Sequence, residues 1–123
     1  MPATFSDTAM DQFLNYWGTC TIMVACSAAP TNYTELTSTY ALADTTLAGG
    51  DFTKADGDVS GRKSTRAAKT GITVDSSGTA TFVGYGISGS STWVASVPCN
   101  STVLTASGTV DFGAHKIEIP DPS

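Results

Sequence analysis

Charge is scarce in this chain. Of its 123 residues only 14% are charged, well under the ~25% of an ordinary soluble domain. Hydroxyls take up the surface instead, since 34 residues are Ser or Thr. That balance excludes a charge-driven disordered tail and a coiled coil. Basic residues are scarcer than acidic ones, six against eleven, for a net charge of −5. Non-specific nucleic-acid binding needs clustered Lys and Arg to displace phosphate counterions, so nucleic acid is not an expected partner. Long apolar runs are also missing. The longest is Ile22-Met23-Val24-Ala25-Cys26, far short of the ~20 residues that cross a bilayer. The opening MPATFSDTAMDQF has neither the basic nor the apolar region of a secretory signal. The expectation is a soluble protein made in the cytoplasm, with no membrane partner.

Residues that carry chemistry are few. The three cysteines are Cys20, Cys26 and Cys99, and the single histidine is His115. Three thiols are too few for a disulfide-stapled fold, and their spacings match no zinc pattern. Cys20 and Cys26 fall on one predicted strand, ~20 Å apart at ~3.3 Å per residue and so beyond disulfide reach. Two readings stay open: buried free thiols packing as small hydrophobes, or a bridge through Cys99, within the chain or between subunits. His115 shares a strand face with Ile117 and Ile119, which is the placement of a packed or interface histidine. No GxSxG, HExxH, Walker A or GxGxxG pattern occurs. No catalytic, cofactor or metal site is therefore expected. Asp56-Gly57-Asp58-Val59-Ser60-Gly61 begins like a calcium loop, but Ala67 stands where a bidentate Glu belongs. A tight turn competes there with a cation-binding one.

One short amphipathic helix is well specified over about 6–17. Ser6 is its cap, Phe5 and Met10 form a hydrophobic staple, and Gly18 stands at C′. Met10, Phe13, Leu14 and Trp17 recur at i, i+3, i+4 and i+7, one apolar stripe that must lie on its own scaffold or on a neighbour's. The scaffold is β. Strands are expected at 20–26, 37–42, 62–68, 71–74, 79–85, 92–97, 102–106, 109–112 and 115–119, with a long loop at 43–61 and one brief strand near Phe52. Turn chemistry separates them, including Pro98-Cys99-Asn100-Ser101. Pro120-Asp121-Pro122 ends the last strand. The fold class is mainly β: an antiparallel sandwich, jelly-roll or Ig-like, forming one domain over 1–123 with strands from 19 to 119.

The basic residues Arg62, Lys63, Arg66 and Lys69 crowd one predicted strand, opposite an acidic segment holding Asp44, Asp51, Asp56 and Asp58. They either protect a sheet edge and pair within the chain, or pair with a neighbouring copy. Tyr33, Tyr40, Phe82, Tyr85 and Trp93 are either core or a sugar platform. The sequons at Asn32 and Asn100 read as chance without a secretory signal.

Taken together, MPATFSDTA, TYAL at 39–42, GDFTKADGDVSGRK at 50–63, VDSSGTATFVGYG at 74–86 and TVDFGAHKIEIPDP at 109–122 resemble small virion structural proteins of tailed bacteriophages. The resemblance implies a virion component, a capsid decoration or cement protein or a neck-collar part. It would be homo-oligomeric, with major capsid, portal, neck or tail proteins as partners. The interface candidates are Met10, Phe13, Leu14, Trp17, Arg62, Lys63, Arg66 and Cys99. A receptor- or glycan-binding module of a fibre or baseplate is the alternative.

Overall fold

The Ser6 hydroxyl accepts from the Ala9 amide at 3.2 Å, filling one of the donors that a helix start leaves open. In the computed structural model, which describes residues 6–58 and 60–119 apart from the side chains of Asp7 and Met10, the helix α1 spans Asp7–Trp17. Gly18 ends it in right-handed geometry, at φ −68°, rather than in the left-handed conformation of a C′ glycine. The expected staple at Phe5 and Met10 and the terminal Pro120-Asp121-Pro122 lie outside the described residues.

Nine strands follow: β1 (Ile22–Cys26), β2 (Ala41–Thr46), β3 (Phe52–Asp56), β4 (Arg62–Arg66), β5 (Lys69–Thr73), β6 (Gly78–Ile87), β7 (Thr92–Leu104), β8 (Thr109–Phe112) and β9 (His115–Ile119) among the described residues. They form sheets ordered β2-β1-β6-β7, β3-β4-β9 and β5-β8, antiparallel throughout. The expected class holds: mainly β, antiparallel and sandwich-like, with one short N-terminal helix.

The chain gathers into two compact units, Met1–Thr19 with Ala48–Ala68 and Gly113–Ser123, and Cys20–Leu47 with Lys69–Phe112. Both are discontinuous in sequence, so no single linker separates them.

The first unit sets α1 on the sheet β3-β4-β9. Register places Phe52, Arg66 and His115 side by side across the three strands. Trp17 of α1 packs edge-on to Phe52 at 4.9 Å and to His115 at 6.4 Å. Leu14 and Trp17 are each 1% exposed, so the inward half of the helix stripe is the buried core of this unit.

The second unit is built on β1, a central strand hydrogen-bonded to β2 on one edge and β6 on the other, with its residues 23–26 buried on both faces. Val24, Cys26 and Leu36 form its central apolar cluster, with Ile22, Tyr33, Tyr40, Phe82 and Trp93 packed around them. The strand expected at 37–42 is corrected here. Glu35–Thr39 is a π-helical turn and β2 begins only at Ala41. The cause is local hydrogen bonding: Asn32 Oδ1 accepts from the Glu35 amide, and Glu35 Oε1 accepts from the Thr31 amide and hydroxyl, each at 2.8 Å. These bonds nucleate a helical turn that β-branched Thr37 and Thr39 then follow.

A second correction concerns 92–106, expected as two strands split at Pro98-Cys99-Asn100-Ser101. The structure has one long strand, Thr92–Leu104. Its pairing passes from Pro98 opposite Phe82 to Thr102 opposite Ala80, so the turn-forming residues make a bulge instead of a reversal. An edge strand tolerates this, since proline's missing amide removes a ladder bond only where no second neighbour needs it. The loop expected over 43–61 is shorter, because β2 runs to Thr46, while the brief strand expected near Phe52 is present as β3.

Candidate functional site

The interface candidates separate into buried and accessible groups. On α1, Leu14 and Trp17 are buried while Phe13 is 57% exposed and neighbouring Tyr16 50%. The stripe is therefore split. A helix only three turns long offers its sheet a narrow face, and Phe13 falls outside it. The Met10 side chain lies outside the described residues.

The basic strand is not an edge, which corrects that expectation: β4 lies between β3 and β9. Its charges are paired within the chain. Arg62 Nε binds Asp11 Oδ1 at 3.0 Å and Arg62 Nη1 binds Asp56 Oδ1 at 2.8 Å. Lys63 Nζ meets Asp58 Oδ1 at 2.6 Å, and Lys116 meets the other Asp58 oxygen. The carboxylates of the calcium-like loop thus already face Lys and Arg side chains. Arg66 is 2% exposed, which withdraws it from any outer contact. Its Nη1 donates to the Gly113 carbonyl at 2.6 Å and the Ala67 carbonyl at 3.2 Å, closing the loop that leads into β9.

Burial, with the Arg66 guanidinium beside it, holds the His115 imidazole below its ordinary value of 6.5. The unfolded chain therefore takes up this proton first as pH falls. Stability from this group is full above about pH 6.5 and declines below it, until the folded imidazole itself titrates. Thermal melts between about pH 8 and about pH 5 should show this decline, and His115→Gln should remove the histidine's share of the slope.

Burial pushes the Cys20 thiol up to about 12 and, foremost among its causes, the Cys26 thiol up to about 11. Both pack as small hydrophobes. Cys99 is free too but exposed, so the buried-thiol reading fails for it. β6 separates β1 from β7, which puts Cys26 and Cys99 two strand spacings apart, ~9.6 Å between Cα atoms and beyond the ~7 Å that a disulfide spans.

β7 itself is an edge strand of thirteen residues. No charged side chain occurs in Thr92–Leu104. Residues 98–103 are exposed, Val103 at 79%. The opposite edge, β2, is covered: Ala43 bridges Val74, and the Asp75 amide donates to the Leu42 carbonyl at 2.8 Å. Of the five aromatics that could form a sugar platform, Tyr85 is fully buried, and Tyr33, Tyr40, Phe82 and Trp93 are half-buried against the core cluster.

Sequence reasoning missed one concavity. Ile22, Val24 and Ala41 floor a groove of about 210 Å³, rimmed by Thr37, Ser38, Asp44, Asp75 and Ser76. Asp44 lies opposite Val24 on β2. Partial burial, a hydrogen bond from the Asp75 side chain and the repulsion between the two carboxylates push Asp44 above its ordinary 3.8. These aspartates are 31 positions apart in sequence, one in an expected long loop and one in a turn, so only the pairing of Val74 beside Ala43 brings them together.

Compared with known protein families, curated proteins and solved structures, the chain matches none.

Proposed function

We propose that this chain is a non-enzymatic structural protein of a tailed-phage particle, a capsid decoration or cement subunit or a neck-collar component, that acts through contacts with neighbouring subunits. The observation that carries the reading is β7: a thirteen-residue edge strand with no charge, whose outer half is exposed. A partner surface placed against it loses no charge solvation, and uncharged short side chains lose little rotamer freedom on contact. Pro98 and the bulge interrupt the strand, which favours contact through side chains over simple extension of the ladder. The exposed aromatics Phe13 and Tyr16 supply a second accessible surface of the residue types that dominate interfaces. Against the glycan-module alternative stands Tyr85, which is fully buried.

Mass spectrometry of purified particles tests the proposal: the protein should be present in intact virions, and its absence would overturn it. Phe13→Asp should change folding stability by no more than about 0.5 kcal/mol, as for an exposed site, yet reduce incorporation into particles. Wild-type incorporation of that variant would remove the helix from the contact surface.

A further inference from the structure

An exposed sheet edge offers unpaired backbone groups to another strand, and most edges in this chain are closed to that use. β2 is covered, and β7 carries Pro98 and a bulge. The pairing of β5 shifts between Lys69 and Ile72, around Gly71 at φ 69°. β8 is only four residues long. On β9 the charges are already engaged, Lys116 by the Asp58 carboxylate and Glu118 by the Asp58 amide. β3 differs from all of these. It pairs with β4 residue for residue, from Phe52 opposite Arg66 to Asp56 opposite Arg62, without a shift of register. It contains no proline, and Thr53, Lys54, Ala55 and Asp56 are all exposed. Among the described residues no strand lies along its outer side.

The charges on β3 say what can add there. Lys54 and Asp56 are two positions apart and share a face, with Ala55 between them on the other. The Asp56 side chain is 84% exposed and gives one oxygen to Arg62. Lys54 has no ion pair or hydrogen bond among the described residues. Turn a second β3 antiparallel about a two-fold axis through Ala55, and each Lys54 comes to lie opposite the other copy's Asp56. Two opposite-charge cross-strand pairs then form together, and the small Ala55 side chains meet at the axis. Other registers lose this match. An axis through Lys54 opposes two ammoniums, and one through Asp56 opposes two carboxylates. A slip of one residue leaves every charge opposite a neutral side chain. We propose that β3 pairs in this way with β3 of a second copy, joining two three-stranded sheets into one of six. The contact is isologous, so it closes at two copies. It uses neither β7 nor the exposed aromatics of α1, and it does not depend on the virion reading.

Sedimentation velocity of the full chain over a concentration series tests it. Wild type should show a monomer–dimer equilibrium. Lys54→Glu sets two acids against each other at both crossings, and Asp56→Lys sets two lysines. Each variant alone should dimerise about tenfold or more weakly than wild type. Mixed in equal amounts, the two should dimerise with each other nearly as wild type does. The acid introduced at 54 in one then meets the lysine introduced at 56 in the other, and the native Asp56 and Lys54 meet at the second crossing. Both positions are exposed, so thermal melts of the variants should match wild type, and recovery on mixing requires folded chains. A monomeric wild type, single variants that dimerise as wild type does, or folded variants that stay apart when mixed would each overturn the contact. Absence of the protein from particles overturns the virion role and leaves this dimer standing, whereas unchanged dimers in both variants overturn the dimer alone.

Discussion

Leu36→Ala is expected to lower folding stability by about 2–5 kcal/mol, a large share of the ~5–15 kcal/mol that holds a domain together. Leu36 has no exposed surface and sits in the core of its unit with Val24 and Cys26. Its seat is made by two glycines of β6. A Cβ at Gly84 would lie 2.4 Å from Leu36 Cδ1, and one at Gly86 would lie 2.6 Å from Cδ2 and 2.9 Å from the Thr92 carbonyl. Pro30 closes the same site, 3.1 Å from the Gly84 position. The π-helical turn therefore docks on the sheet by one leucine filling a glycine-floored depression. Truncating it leaves a cavity that backbone on one side and proline on the other cannot collapse to fill. Gly84→Ala approaches the same contact from below and should cost about 1–3 kcal/mol through overpacking. Chemical denaturation reads both. An unchanged midpoint in Leu36→Ala would mean that the turn is not held by this contact.

Trp17→Asp is the second large effect. The indole is 1% exposed and meets both Phe52 and His115 edge-on. Replacing it removes the largest side chain of its unit, worth about 3–5 kcal/mol by truncation alone, and puts a carboxylate into the space left behind, adding a desolvation cost of several kcal/mol. Denaturation followed by circular dichroism should show the unit unfolded or strongly destabilised. A wild-type melt in this variant would mean that α1 is not seated on its sheet. The contrast with Phe13→Asp is informative, because the two aromatics are four positions apart on one predicted stripe, and only one of them holds the fold together.

Local patterns were legible where local forces decide. Ser6 as cap, the helix to Trp17, and the strands at 109–112 and 115–119 follow from capping chemistry and alternation, and they stand where those place them. The misread segments share a cause: a residue's usual role was overridden by its neighbours in space. Pro98-Cys99-Asn100-Ser101 has turn composition, but continued pairing of β7 with β6 on both sides absorbs it as a bulge. Thr37 to Leu42 reads as a β-branched strand, yet the Asn32–Glu35 capping bonds and the seat for Leu36 bend its first half into a helical turn. The signal was present in Asn32 followed three residues later by Glu35. The groove was not legible at all, since its two aspartates meet only through the bridge between Ala43 and Val74.

By itself the sequence determined the class of fold, because hydrophobic alternation and turn residues act over a few positions and need no knowledge of the far chain. It also determined the scarcity of charge. Tertiary structure alone decided which strand is an edge, which half of the helix stripe is covered, and which carboxylates lack a cation. Those outcomes depend on the order of strands within a sheet, and strand order is set by contacts between residues far apart in the chain.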